Sequence, residues 1–152
     1  MAISGSGLFV ATIIDVFDPT ALSINLTSNE DLKAALFTNS ITTPNLTTAV
    51  GYGAAPFNAN EVSGTGYTTG GATLTGTTFA GNSGVATFDA DDVTWSSSTL
   101  TGVRGVLIYD DSQDSDNGIV LVDLGQDYAT SNGNFVVQWD SDGIFALTLV
   151  PA

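Results

Sequence analysis

From Ala72 onward, short segments rich in β-branched and aromatic residues alternate with turn signals at a spacing of roughly ten residues. That rhythm leaves room for strands and for little else. The segments are 72–78, 85–89, 92–97, 103–109, 119–124, 134–139 and 144–149. Between them stand Gly81-Asn82-Ser83-Gly84, Asp116-Asn117-Gly118, Ser131-Asn132-Gly133 and Asp142-Gly143. Their Asn, Asp and Gly residues tolerate the left-handed backbone that tight hairpins require. In the last pair, Phe135, Val137 and Trp139 alternate with Val136 and Gln138, and Phe145, Leu147 and Leu149 alternate on the return. This pattern predicts a hairpin closed at 140–143.

Leu32–Thr38 reads as a further strand, with Leu32, Ala34 and Leu36 alternating against Lys33 and Ala35. The expected fold is mainly β: an antiparallel β-sandwich or barrel-like single domain over 1–152. A short helix is expected at 7–17, where Phe9, Ile13, Val16 and Phe17 share one face and Pro19, preceded by Asp18, ends the element. It belongs to an N-terminal arm, 1–31. Residues 39–71 show no periodicity and predict a long glycine-rich loop, a length that in small domains usually accompanies function.

Composition narrows the function classes. The chain carries 2 basic and 16 acidic residues, for a net charge of −14. Lys33 and Arg104 alone cannot neutralise a phosphate backbone or an anionic lipid surface, so neither nucleic acid nor membrane is an expected partner. The sequence contains neither Cys nor His, which removes disulfides, thiolate metal sites, cysteine nucleophiles and serine–histidine triads. No apolar run reaches the ~18 residues of a spanning helix. Met1-Ala2-Ile3-Ser4 lacks the basic start of a secretory signal, so synthesis in a cytoplasm without its own export signal is expected.

Carboxylates are the remaining chemistry. Asp89, Asp91 and Asp92 form one cluster; Asp110, Asp111, Asp114 and Asp116 form another. Two carboxylates at glycosidase spacing would need a cleft lined by aromatics, and only Trp95 and Tyr109 are close in sequence. Solvated turn residues at strand ends are the simpler account. The string DSQDSDNG resembles a calcium loop only superficially. Placing Gly118 at the invariant glycine puts Gln113 and Leu124 where carboxylates must stand, which leaves at most an irregular cation site in the 110–118 loop. Gly64-Thr65-Gly66 lacks the dinucleotide spacing and the lysine of phosphate loops. Asn25 and Asn45 begin Asn-x-Thr sequons that a Thr-rich chain produces by coincidence. Within 60–71, Gly64, Gly66, Gly70 and Gly71 permit sharp turns, Tyr67 is the expected anchor to the core, and Glu61 the expected local partner. No catalytic, metal or cofactor residue is assigned.

Four strings occur in order: LKAALFTNSITTPN at 32–45, ANEVSGTGYTTGGATL at 59–74, FDADDVTWSSSTLTGVRGVLIY at 88–109 and FVVQWDSDGIFALTL at 135–149. Together they resemble a family of small, β-rich structural proteins of tailed bacteriophages, with the NEVSGTGYTxGG loop the most specific. The resemblance implies a non-enzymatic virion component made in the host cytoplasm. It would be a capsid decoration protein bound to the major capsid protein of the assembled head, or alternatively a minor tail protein contacting tail proteins. A symmetric homo-oligomer is expected of such a subunit. A competing reading is a carbohydrate-binding β-sandwich in which Tyr52, Tyr67 or Trp95 stacks on sugar. A carboxylate-only glycosidase using Asp91 and Asp92 is a third.

Overall fold

A computed structural model of the chain describes residues 3–17, 22–29 and 31–149. Among these residues lie eight strands and one helix: β1 (Gly7–Leu8), α1 (Val10–Phe17), β2 (Leu32–Thr38), β3 (Ala72–Thr73), β4 (Thr78–Asn82), β5 (Val85–Asp89), β6 (Val93–Asp110), β7 (Gly118–Val137) and β8 (Phe145–Thr148). A five-stranded antiparallel sheet has the order β1-β7-β6-β2-β3, and a three-stranded sheet the order β4-β5-β8. The two stack as a sandwich and do not close into a barrel. The expected helix end at Asp18 and Pro19 lies outside the described residues.

The first sheet is buried on both faces. Leu32, Ala34, Leu36, Val106 and Ile108 point into the core between the sheets with Phe88 of β5. Ala35, Phe37, Leu107 and Tyr109 point the other way, into a second core with Ile3, Phe9, Ile41 and Phe57. The layer over that second face is mostly the irregular 39–60 segment, consistent with the long loop expected there. Phe57 binds it down, with Phe37 at 5.2 Å edge-on and Phe9 at 5.7 Å.

The segments 92–97 and 103–109 join into the single strand β6, and 119–124 and 134–139 contribute to β7. The predicted turn at Ser131-Asn132-Gly133 is therefore a bulge inside β7. Ser97 (φ 51°), Gly102 (φ 66°), Gly125 (φ 79°) and Asn132 (φ 50°) take left-handed backbone where the β6–β7 register shifts. Such bulges bend a ribbon instead of reversing it. Trp95 and Phe135 from one half and Val106 and Ile108 from the other thereby reach the same core.

Two further expectations are corrected. The 134–149 hairpin does not form. The turn exists, with Gly143 N–H donating to Asp140 O at 2.9 Å. Its second arm, β8, instead crosses to pair with β5, Phe88 opposite Phe145. Trp139 sets the departure, since its backbone N–H donates to Asp92 Oδ1 at 3.0 Å and its ring N–H to Asp91 O at 3.1 Å. Alternation defines which face is buried but not which strand is the neighbour. The 72–78 segment likewise splits into β3 and β4, because Gly76 (φ 62°) passes so close to the Asp91 carboxylate that a Cβ would sit 2.5 Å from it. By contrast the Asn82–Val85 hairpin forms as expected, with Ser83 and Gly84 both left-handed.

Arg104, 4% exposed, closes the largest irregularity of the ribbon. Its Nε donates to Asp123 Oδ1 at 2.7 Å and its Nη2 to Oδ2 at 3.4 Å, with Asp127 3.9 Å from Nη1. Burial pushes the Asp123 carboxyl up, but the Arg104 hydrogen bond, the Gly125 N–H and the guanidinium charge together hold it below the ordinary range. Its contribution is thus present above the unfolded-state value and is lost as pH falls through the lowered one. Arg104→Ala leaves the largely covered Asp123 carboxylate without its guanidinium partner and should cost about 2–3 kcal/mol. Urea unfolding of Arg104→Ala, Asp123→Ala and the double variant checks this; additive losses would contradict the coupling.

Candidate functional site

The glycine-rich loop is organised around one carboxylate. Glu61 Oε1 accepts from the Tyr67 hydroxyl at 2.7 Å and from the Gly70 backbone N–H at 2.7 Å. Glu61 Oε2 accepts from the Tyr52 hydroxyl at 2.8 Å. Tyr67 Oη in turn accepts from Leu36 N–H of β2 at 2.9 Å, and Tyr109 donates to Gly70 O at 2.8 Å. The Tyr52 and Tyr109 rings stack with centroids 4.6 Å apart and planes 11° from parallel. Tyr67 is thus the anchor expected of it, and Glu61 ties three parts of the chain together.

The reason for the glycines is close approach. β2 is bordered at one end by β3 and at the other by residues 60–62, where Val62 N–H donates to Leu36 O at 2.8 Å and Thr38 N–H to Asn60 O at 3.0 Å. Between these contacts the loop leaves the sheet and returns. On its return Gly71 (φ 81°) presses onto the backbone, and a Cβ there would lie 1.9 Å from Ala34 O. Gly64 meets Thr99 O in the same way at 2.1 Å. No side chain fits either position.

The aspartate clusters are distributed among structural tasks. Thr75 Oγ1 donates to Asp91 Oδ2 at 2.9 Å, Ala90 N–H to Asp89 Oδ1 at 2.9 Å, and Trp139 N–H to Asp92 Oδ1. Asp89 and Asp92 each hold a stretch of backbone and Asp91 a threonine hydroxyl, so each of the three carboxylates is engaged in a local structural bond. In the second cluster Asp111 is ion-paired with Lys33. Asp110 is fully buried, and its Oδ1 accepts from Ser112 N–H and Oγ at 2.9 and 2.6 Å. Its Oδ2, like Asn117 Oδ1, is buried without a hydrogen-bond partner among the described residues. The Asp116 carboxyl is raised by burial and then by the neighbouring Asp111 charge. Among the described residues no group of three carboxylates is arranged to hold a metal ion.

Of the aromatics considered for sugar stacking, Trp95 is only 5% exposed, between Tyr67 and Phe135 at 6.0 Å each, so its ring belongs to the core. Tyr67 is half-buried with its hydroxyl doubly engaged. Tyr52, also half-buried, lines a depression of about 400 Å³ with Glu61, Asn58, Asn60, Ser63 and Thr69. The sequon asparagines shape turns: Asn25 Oδ1 accepts from Thr27 N–H and Oγ1, and Asn45 Oδ1 from Thr47 N–H.

One surface was not foreseen. The expected core face of α1 stays largely outside: Thr12 is the helix residue that is buried, while Ile13, Val16 and Phe17 are exposed, Phe17 by 84%. Thr12 Oγ1 donates to Gly118 O, which seats the helix through a hydroxyl rather than through its apolar stripe. Ile13, Val16 and Phe17 form one wall of an apolar groove of about 330 Å³, opposite Phe79, Phe145 and Leu147 of the second sheet. The other described lining residues are Ile24, Asn25, Leu26, Thr27 and Ile119, so among the described residues none in the lining is charged. Helical spacing had signalled the stripe but could not say whether it faced in or out.

No protein-family model, no curated protein and no solved structure matches the chain.

The tyrosine–glutamate network has a titration signature. Burial, the Glu61 hydrogen bond and the charges of Glu61, Asp116 and Asp111 push the Tyr52 hydroxyl up to about 12. Burial first, and then neighbouring carboxylates, also raise Tyr67 and Tyr109. Folded values above the unfolded ~10 mean that this stability is fully present below about pH 10 and is lost as pH rises beyond it. Tyrosinate absorbance of these residues should therefore appear together with loss of near-ultraviolet dichroism. Ionisation of Tyr52, Tyr67 or Tyr109 in a fully folded chain at pH 10 would contradict the network. Glu61→Gln cannot accept all three bonds and should lower stability by about 1–3 kcal/mol.

Proposed function

We propose that this chain is a non-enzymatic structural protein of a tailed-bacteriophage particle, a decoration protein that binds the major capsid protein on the assembled head. The observation that carries the reading is the uncharged apolar groove at α1. On a molecule of net charge −14, it is an aromatic- and aliphatic-lined surface whose described lining another protein can cover without desolvating a carboxylate. Exposed Phe17 supplies the kind of large side chain that acts as an interface anchor. The four family-like strings support the same reading, and the loop they single out is explained by folding constraints without any ligand. Copies arranged symmetrically around a lattice axis would keep their acidic loops toward solvent, where like charges are screened.

Mass spectrometry of purified particles is the direct test, and absence of the chain from them would end the proposal. Negative-stain images with labelled chain separate a head position from the tail position of a minor tail protein. Heads lacking the chain should bind purified protein, and Phe17→Asp should weaken that binding at least about tenfold. Because Phe17 is exposed, its thermal midpoint should stay close to that of the parent protein.

A further inference from the structure

We propose a binding site for a neutral saccharide in the depression between Tyr52 and the 58–63 segment. This goes beyond the particle reading and is tested on the isolated protein, so either can fail without the other.

Charge excludes most small ligands first. Both basic side chains are already ion-paired, Lys33 with Asp111 and Arg104 with Asp123. Phosphates, uronates and other anions would meet carboxylates without a compensating cation. A neutral, hydroxyl-rich ligand meets no such penalty.

The lining then matches what a sugar ring presents, an apolar C–H face and an array of hydroxyls. The Tyr52 ring contributes to the wall of this depression and of a neighbouring one beside Asp114 and Asp116. It is held rigidly, stacked on Tyr109 on one side and bonded through its hydroxyl to Glu61. A fixed aromatic surface binds with little loss of side-chain freedom. Among the described residues Glu61 Oε2 accepts one hydrogen bond, from Tyr52, although a carboxylate oxygen accepts two. One strong acceptor position is therefore open at an immobilised group, suited to a sugar hydroxyl. Around it Asn58, Ser63 and Thr69 are exposed, and among the described residues their side chains make no hydrogen bond. The Asn58 amide and the Ser63 and Thr69 hydroxyls beside this acceptor can take a vicinal diol.

The rim is also preorganised. Asn60 sits in left-handed backbone at φ 63°, and both Thr38 N–H and Thr38 Oγ1 donate to its carbonyl, at 3.0 and 3.2 Å. A non-glycine residue in that region is held by its surroundings, and such positions cluster at ligand clamps. Asn58, Ala59 and Asn60 also border the adjoining depression of about 330 Å³, walled by Thr42, Thr43 and Thr48. The two depressions share this border, and together they have room for more than one ring.

The test is an amide-resolved NMR titration of the full chain with glucose, galactose, mannose and N-acetylglucosamine, and with short oligomers of any that bind. N-acetylneuraminic acid and glucose 6-phosphate serve as charged controls. Shifts confined to the 52–63 and 69–70 amides, produced by a neutral sugar and not by the charged controls, are expected. An oligomer reaching the Thr42–Thr48 side should bind more tightly than its monomer. Tyr52→Ala should abolish the shifts. Since that variant also releases Glu61, Asn58→Ala/Thr69→Ala leaves the network intact and should weaken binding roughly tenfold. No response to any neutral sugar at tens of millimolar, a response shared by the charged controls, or undiminished binding by the double variant would each overturn the proposal.

Discussion

A two-stranded ribbon as long as β6 and β7 cannot bury itself by running straight. It must bend, and the rest of the fold is arranged around how it does so. Residues in left-handed backbone at Ser97, Gly102, Gly125 and Asn132 break the ladder at separate levels, so that both halves face one core. Arg104 and its two aspartates hold the widest of these breaks. The inner half then presents an edge for β2, and the outer half, continuing through Trp139, directs β8 to the second sheet. Remove the bend and there is no sandwich for the small sheet to complete.

Glu61 plays the matching part at the other edge of β2. A sheet edge leaves backbone donors without partners, and here the Tyr67 hydroxyl takes the N–H of Leu36 while Glu61 orients that hydroxyl. The glycines around it are consequences of backbone meeting backbone. A loop with the look of a phosphate cradle is in this way a device for finishing a sheet, and its one carboxylate is structural before it is anything else. The same rigidity is what makes the neighbouring surface suitable for recognition.

Much of this was legible in the chain. Leu32–Thr38 and Val85–Asp89 keep the bounds expected of them, each being a run of strand-forming residues with a turn or loop behind it, although β2 proves to be buried on both faces. The β class and the unstructured span of 39–71 followed from the same signals. What could not be read is partnership. Ser131-Asn132-Gly133 has the composition of a turn, yet the same left-handed preference serves a bulge when the flanking residues are already paired. Strand β8 had the right period for either sheet. The helix stripe had the right spacing for a core that the 39–60 segment already filled. At the candidate site, Tyr67 could be named as an anchor from its glycine surroundings, but Tyr52 and Tyr109 come from distant parts of the chain. One signal was present: between Lys33 and Asp89, Glu61 is the only charged residue. A solitary carboxylate in so long an uncharged stretch is a poor solubilising device, and a hydrogen-bonded role is the better expectation.

The placement of the two cationic side chains has a consequence for durability. A protease specific for basic residues finds only the bonds after Lys33 and Arg104. The first lies in β2, paired with Tyr109 and Thr73 on its two sides, and the second lies in β6 beside a buried guanidinium. Neither can enter an active-site cleft as an extended strand unless the central sheet opens. For enzymes of that specificity, then, the folded chain offers no local point of attack, and its lifetime among them is governed by global opening of the sandwich.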